Sequence, residues 1–134
     1  DEKGMEDVTN YWIKEIGIKA PSPKPAVRTL SGGNAQKVVI AKWLNTNPKL
    51  FILDGPTVGV DVGAKAEIHA ILHDLARKGI SIIIISDDLP ELVQNPNKLP
   101  VMRDGKKSGM MHNSIDERSL GNMLIGADKG GDKA

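Results

Sequence analysis

The chain contains no cysteine, which excludes disulfides, thiolate metal sites and cysteine nucleophiles while leaving the compartment open. It also lacks a dominant charge. Eighteen basic residues against 17 acidic ones leave +1 at pH 7, so no global field recommends nucleic acid or an anionic membrane, and any anion site must be local. Long apolar runs are missing: Ile82 to Ile85 is far short of the roughly 20 residues a membrane helix needs. The charged opening DEKGMED does not read as a signal peptide, so the chain reads as soluble. There is no internal repeat and no sustained heptad pattern. Nor is there a G-x-x-x-x-G-K-[ST] phosphate loop. The closest spacing, Gly121 to Gly126, is followed by Ala127 and Asp128 rather than by a lysine for the β- and γ-phosphates. The first residue is not methionine, which leads to the expectation of a fragment or a processed product.

What is present is enough for one domain with a real core: 134 residues, 40% of them apolar. Met5, Val8, Trp12 and Ile16 recur at helical spacing within residues 4–17, and APSPKP then imposes a stiff extended connector. SGGNAQKVVIAKWLNTNP combines turn glycines with a helix carrying Val38, Val39, Ala41, Trp43 and Leu44, stopped by Asn-Pro. KLFIL reads as a buried strand. From Val62 an amphipathic helix stripes Ala64, Ile68, Ile71, Leu72 and Leu75 down one face and closes at Gly79. ISIIIIS reads as a second buried strand, whose unbroken apolar run suits a parallel sheet covered on both faces. LPELVQ is a short helix. Asp104-Gly105 is expected as a two-residue turn between short strands, with Pro100 weakening the first strand or placing it at an edge. DERSLGNMLIG closes the chain as a helix, and residues 127–134 are expected to be a disordered tail.

Strand, helix and strand between Lys49 and Ser86 form a βαβ crossover, the unit of an open α/β sheet, in which ligands sit beyond the carboxyl ends of the strands. Asp54-Gly55 and Ser86-Asp87-Asp88 emerge at those ends. Upstream, Ser31, Gly32 and Gly33 precede a helix start, where unpaired N–H groups and the helix dipole can seat phosphate. Taken alone, Ser-Gly-Gly reads more simply as a turn before an ordinary helix. A strand-terminal aspartate such as Asp54 can hold magnesium through water, although many parallel strands end this way.

In combination, LSGG-x-x-Q, a hydrophobic strand, Asp, Pro-Thr and Gly-Val-Asp resemble the ATP-binding-cassette ATPases. LSGGNAQKVVIAKWL and GVDVGAKAEI are similar to the second cassette of the ATP-binding subunits of bacterial monosaccharide importers of the ribose, xylose and galactose kind. The resemblance covers nearly all of residues 1–126. It implies a partial P-loop-NTPase-type α/β domain: a mainly parallel sheet with flanking helices, an N-terminal helical segment, and a C-terminal β-hairpin plus helix. Residues 1–48 would be a remnant of the helical subdomain with the signature helix, and 49–126 the part of the ATPase core holding Walker B, D-loop and switch.

By the same resemblance Ser31, Gly32, Gly33 and Asn34 would form the signature loop, contacting the γ-phosphate of ATP held on an opposite cassette, with Gln36 close behind. Asp54 would be the Walker B magnesium ligand. Asp61 would close the D-loop at the cassette interface, and Asp87 would occupy the switch position. Ala35 stands where glutamine is common in this branch, and Val58 where arginine is frequent. Gly55 occupies the place of the glutamate that polarises the attacking water, so no obvious general base remains. Because relatives accommodate glutamate there, the resemblance implies no left-handed backbone at Gly55. The family's P-loop, adenine platform and Q-loop would lie upstream of this segment.

The implied cofactors are ATP and Mg2+, and the implied partners are a second cassette and the membrane permease subunits of a sugar importer, at the inner face of the cell membrane. Nucleic acid is not among them. Removing the P-loop strand would leave the Ile82 to Ile85 strand unpaired, a template for dimerisation or segment swapping. The alternatives are a non-catalytic interaction module and a plain truncated gene product.

Other candidates are blander. His69 and His73 have zinc-compatible spacing but no third ligand, and read as structural. KEIGIK and RDGKK read as solvated charged faces, and Met102, Met110 and Met111 as packing. Asp87-Asp88 could be a metal-ligand pair, but Asp88 is the better N-cap for LPELVQ.

Overall fold

In the computed structural model, which describes residues 1–24, 27–112 and 116–126, the elements follow the order expected from the hydrophobic pattern. They are α1 (Glu2–Glu15), a 3-10 turn (Val27–Thr29), α2 (Gly32–Leu44), β1 (Leu50–Asp54), α3 (Val62–Arg77) and β2 (Ser81–Ile85). There follow α4 (Leu89–Gln94), β3 (Lys98–Arg103), β4 (Lys106–His112) and α5 (Glu117–Ile125). Pro25 of the connector and the tail 127–134 lie outside the described residues. No described helix is long and apolar enough to cross a membrane.

The chain divides into two compact units, Asp1–Ile85 and Ser86–Ala134. Each closes apolar clusters of its own. In the first, Ile40 and Leu44 of α2, Phe51 and Leu53 of β1, and Ile68, Leu72 and Leu75 of α3 form the main core. A second cluster joins Ile16, Ile18 and Ala41, with Trp12, Leu30 and Val38 against it. In the second unit Leu92, Leu99, Val101 and Leu120 are buried together, with Met111 and Met123 alongside. Met102 and Met110 are exposed instead, so the packing reading holds for Met111 alone of the three.

Local signals set the helix ends. Gly17 (φ +62°) and Gly79 (φ +95°) turn left-handed just after α1 and α3. Beyond them the Ile18 amide reaches back to the Ile13 carbonyl (2.9 Å) and the Ile80 amide to Leu75 (3.1 Å). These are the closing bonds of Schellman caps. Asp104 (φ +50°) and Gly105 (φ +71°) both take positive φ, which is what a two-residue type I′ hairpin turn demands. The hairpin carries a register shift at Val101/Met102, and Pro100 sits opposite Met110 in a two-stranded sheet, where every strand is an edge.

β1 and β2 pair in parallel through the α3 crossover, with Ile52 opposite Ile83 and Asp54 opposite Ile85. The expectation of a sheet covered on both faces fails. Phe51 and Leu53 are buried, while Leu50, Ile52, Ile83 and Ile85 are 49%, 57%, 47% and 53% exposed. The cause is geometric: α2 and α3 pack aliphatic side chains on one face only, and alternate strand residues point to the other. An unbroken apolar run therefore marked a strand correctly without saying how many of its faces are covered.

Candidate functional site

Ser31 adopts an extended conformation (φ −61°, ψ 156°) and is the N-cap of α2. The glycines therefore lie inside the first helical turn rather than before it. The Ser31 hydroxyl accepts from the Asn34 amide (3.4 Å) and from Asn34 Nδ2 (2.9 Å). Asn34 Oδ1 in turn accepts the backbone N–H of Lys19 (2.7 Å). Ser31 and Asn34 are thus tied to each other and to the chain leaving α1. Gln36 lies in the next positions of α2, partly buried.

The N-terminus of α3 is built alike. Asp61 is its N-cap, extended at φ −66° and ψ 160°, and Oδ1 accepts from the Ala64 amide at 3.0 Å. The two helix starts are in contact. A Cβ on Gly32 would lie 3.4 Å from the Gly59 carbonyl oxygen, and one on Gly33 would overlap the Cβ of Ala64, with Val60 Cγ1 at 3.7 Å. Gly33 is therefore the residue that lets residues 31–34 approach residues 59–64 closely, whereas a Cβ at Gly32 would make an ordinary contact.

Between β1 and Asp61 the chain makes two successive turns. The Val58 amide donates to the Gly55 carbonyl (3.1 Å) and the Val60 amide to Thr57 (3.2 Å). Pro56 and Thr57 are buried, whereas Val58 is 78% exposed. Gly55 donates its N–H to the Ile85 carbonyl (2.9 Å), continuing the parallel ladder past Asp54.

Gly55 is left-handed, at φ +55°, and a Cβ there would stand 2.9 Å from Val58 Cγ2. This corrects the expectation that no left-handed backbone is needed. The missing side chain and the backbone conformation go together, because an L-residue in this region is strained.

Asp54 ends β1 with an exposed carboxylate. Among the described residues that carboxylate accepts no hydrogen bond and joins no ion pair. Its donor chemistry fits Mg2+, which is commonly held by one or two carboxylates together with water and substrate phosphates. Asp87 is exposed and belongs to the second unit. Asp88 is the N-cap of α4, its Oδ1 accepting from the Glu91 amide at 3.2 Å, as expected. Ser86 adds to this start: its hydroxyl accepts from the Asp88 amide (3.1 Å) and bonds the Glu91 carboxylate.

Residue-type patterning missed one group. Lys37 is buried, 3% exposed, although it carries a charge. Its ammonium donates to the Gly17 carbonyl (2.9 Å) and to Glu67 Oε2 (2.6 Å). Glu67 also receives Lys19, Oε1 to Nζ, at 3.4 Å. The hydrogen bond and charge of Lys37, followed by those of Lys19, hold the Glu67 carboxyl below its ordinary range. The usable signal was positional, since the buried residues of α2 are Gly33, Lys37, Ile40, Ala41 and Leu44, with Lys37 in register with the stripe. KEIGIK is likewise more than a solvated face, because Glu15 pairs with Lys78 (2.8 Å) and Lys19 with Glu67.

The family model described as "ABC transporter" matches residues 2–58. The ribose import ATP-binding protein of Bacillus subtilis is 46% identical over 112 residues, 84% of this chain and 23% of that protein. The chain is part of an ATP-binding-cassette domain. The corresponding ribose import protein of Caldanaerobacter subterraneus is 52% identical to this cassette segment over 102 residues, 76% of the chain and 21% of the relative. A galactose/methyl galactoside import ATP-binding protein of Clostridium tetani is 44% identical over 110 residues, 82% and 22% of the two chains. The cassette segment thus spans less than a quarter of the length of these three curated relatives, in their C-terminal part.

Solved structures agree on the fold. A nucleotide-free ATP-binding cassette from an ABC transporter superposes with TM-score 0.76 and 27% identity, covering 89% of this chain and 46% of that one. The cbiO1 cassette of Clostridium perfringens gives TM-score 0.71 and 27% identity, covering 96% and 50%.

Proposed function

We propose that this chain is a segment of the ATP-binding subunit of a bacterial monosaccharide importer, and that it works by offering residues 31–34 to ATP held on another cassette. The observation that carries this reading is the close packing of the Ser31-capped start of α2 against the turn leading to Asp61. The packing fixes the place of the Ser31-capped start of α2, whose N–H groups and helix dipole suit a phosphate brought by a partner. In this reading Ser31, Gly32, Gly33 and Asn34 meet the γ-phosphate, Gln36 lies behind them, and Asp61 reaches the partner cassette. Asp54 would hold Mg2+, which when bound neutralises phosphate charge. Asp87 takes the switch position.

Gly55 leaves no carboxylate beside Asp54 to accept a proton from water, and the 134 residues contain no G-x-x-x-x-G-K-[ST] loop to grip phosphate. The chain by itself should therefore neither bind ATP tightly nor hydrolyse it, and the 31–34 loop acts in trans. The permease subunits of the importer are the further partners, which places the protein on the cytoplasmic side of the membrane. Calorimetric titration of the purified chain with MgATP tests this. No binding in the micromolar range is expected; a micromolar Kd, or magnesium-dependent phosphate release, would overturn it.

A second reading, a non-catalytic module that self-associates, is favoured by one observation. Among the described strands β2 pairs with β1 alone, and the sheet exposes Leu50, Ile52, Ile83 and Ile85, a combination that invites strand addition or dimerisation. Sedimentation of the chain across a dilution series separates the readings, because a stable monomer at low micromolar concentration would eliminate this second one.

A further inference from the structure

We propose that Lys37 is a positioning residue for the 31–34 loop, acting through a relay of hydrogen bonds that ends on Asn34 and Ser31. The inference rests on the reading of that loop as the functional element. The relay begins at α3. Glu67 Oε2 takes the buried Lys37 ammonium at 2.6 Å, and the same ammonium donates to the Gly17 carbonyl at 2.9 Å. Gly17 is the left-handed residue that ends α1. Fixing its carbonyl fixes the direction in which the next residues leave, and Ile18 anchors them by its burial (7% exposed). One residue further, the Lys19 amide donates to Asn34 Oδ1 at 2.7 Å, and Asn34 Nδ2 donates to Ser31 Oγ at 2.9 Å.

Each link has a reason to be where it is. A buried ammonium must be matched with acceptors, so Lys37 stays where both Gly17 and Glu67 can reach it. Its stem lies in the buried stripe of α2 and fixes the helix face that Gly33 presents to Ala64. Asn34 has one amide to orient, and the donor from Lys19 decides it: with Oδ1 engaged, Nδ2 is left to face Ser31. Lys37 never needs to touch a ligand to decide how the loop is presented. An apolar residue at 37 could fill the same volume, but it would release the Gly17 carbonyl and with it the Lys19 amide.

Hydrogen exchange of individual amides in the full chain, with nitrogen-15 spectra of the Asn34 side chain, tests the relay. In Lys37→Met the Lys19 amide is expected to exchange roughly tenfold faster or more, as loss of a charged anchor predicts, and the Asn34 Nδ2 resonances to move. Amides of the β1–β2 ladder are expected to keep their rates. Unchanged exchange at Lys19 in the folded variant would overturn the proposal, and so would uniform acceleration across Lys19 and the ladder, which is the mark of a general stability loss. Should Lys37→Met fail to fold, Glu67→Gln loosens the same anchor from the other side and is held to the same two outcomes. Failure of the loop's functional reading would look different, as loss of ATP-dependent association with the exchange pattern intact.

Discussion

Gly33 of α2 and Ala64 of α3 meet so closely that a methyl group on Gly33 would clash with the Ala64 Cβ. The contact keys two helix starts together, and with them the Ser31 to Asn34 loop and the Asp61 cap. Gly33→Ala is expected to destabilise the chain by about 1–3 kcal/mol in urea unfolding, the usual cost of overpacking. Ala64→Gly removes the obstacle, so the double variant should lose less than the sum of the two single changes.

Gly55 couples a missing carboxylate to a left-handed backbone. Gly55→Ala is expected to cost roughly 1–2 kcal/mol from φ alone, with more if Val58 Cγ2 cannot move from its 2.9 Å contact with the new Cβ. Chemical unfolding of Gly55→Ala and of Gly55→Ala with Val58→Ala measures the two contributions apart. The same conformation bears on restoring a glutamate: Gly55→Glu must carry this strain before any gain in hydrolysis by a complete cassette can appear.

Ser31 and Asp61 each satisfy backbone N–H groups at a helix start. Ser31→Ala and Asp61→Ala are expected to cost about 1 kcal/mol apiece, as N-cap losses generally do. Thermal unfolding reads the cost. Asparagine at position 61 retains the cap, so Asp61→Asn should keep stability while removing the charge that the D-loop reading places at the cassette interface.

The pH response follows from Glu67. Hydrogen bonding to Lys37, then its charge, then Lys19 depress the folded carboxyl below 4.5. A depressed carboxylate contributes stability that is fully present above its unfolded value and is lost as pH falls through the folded one. Asp74 beside Arg77 and Asp116 at the α5 cap act in the same direction. Lys78, raised by Glu15, has the opposite sign: its contribution is present below about 10.5 and lost as pH rises through the folded value. Denaturation midpoints should therefore hold level from pH 7 to about 5 and fall on further acidification, and Glu67→Gln should flatten part of that fall.

What the sequence made legible was local. Gly79 as a helix terminator, Asp104-Gly105 as a hairpin turn and Asp88 as a cap each depend on a few adjacent residues, and each stands where it was expected. The combined signature, strand-end aspartate and Gly-Val-Asp order identified the family. What stayed hidden depends on packing between distant segments. The uncovered face of β1 and β2 cannot be read from ISIIIIS, because a strand's own residues do not say which helices pack on it. Lys37 carried no reading in the sequence, because its partner Glu67 lies 30 residues away. Gly55 looked like a deleted side chain until the turn to Val58 gave it a left-handed φ.

The absence of cysteine makes a direct test of action in trans available, because one cysteine introduced at exposed Val58 takes a fluorophore at a single site. Anisotropy of the labelled chain is followed while a nucleotide-binding cassette of a ribose importer is added with ATP, with ADP or without nucleotide. Association that requires ATP and disappears in Gly32→Asp is expected if residues 31–34 meet a γ-phosphate held by the other cassette. Association indifferent to nucleotide and to Gly32→Asp would contradict it.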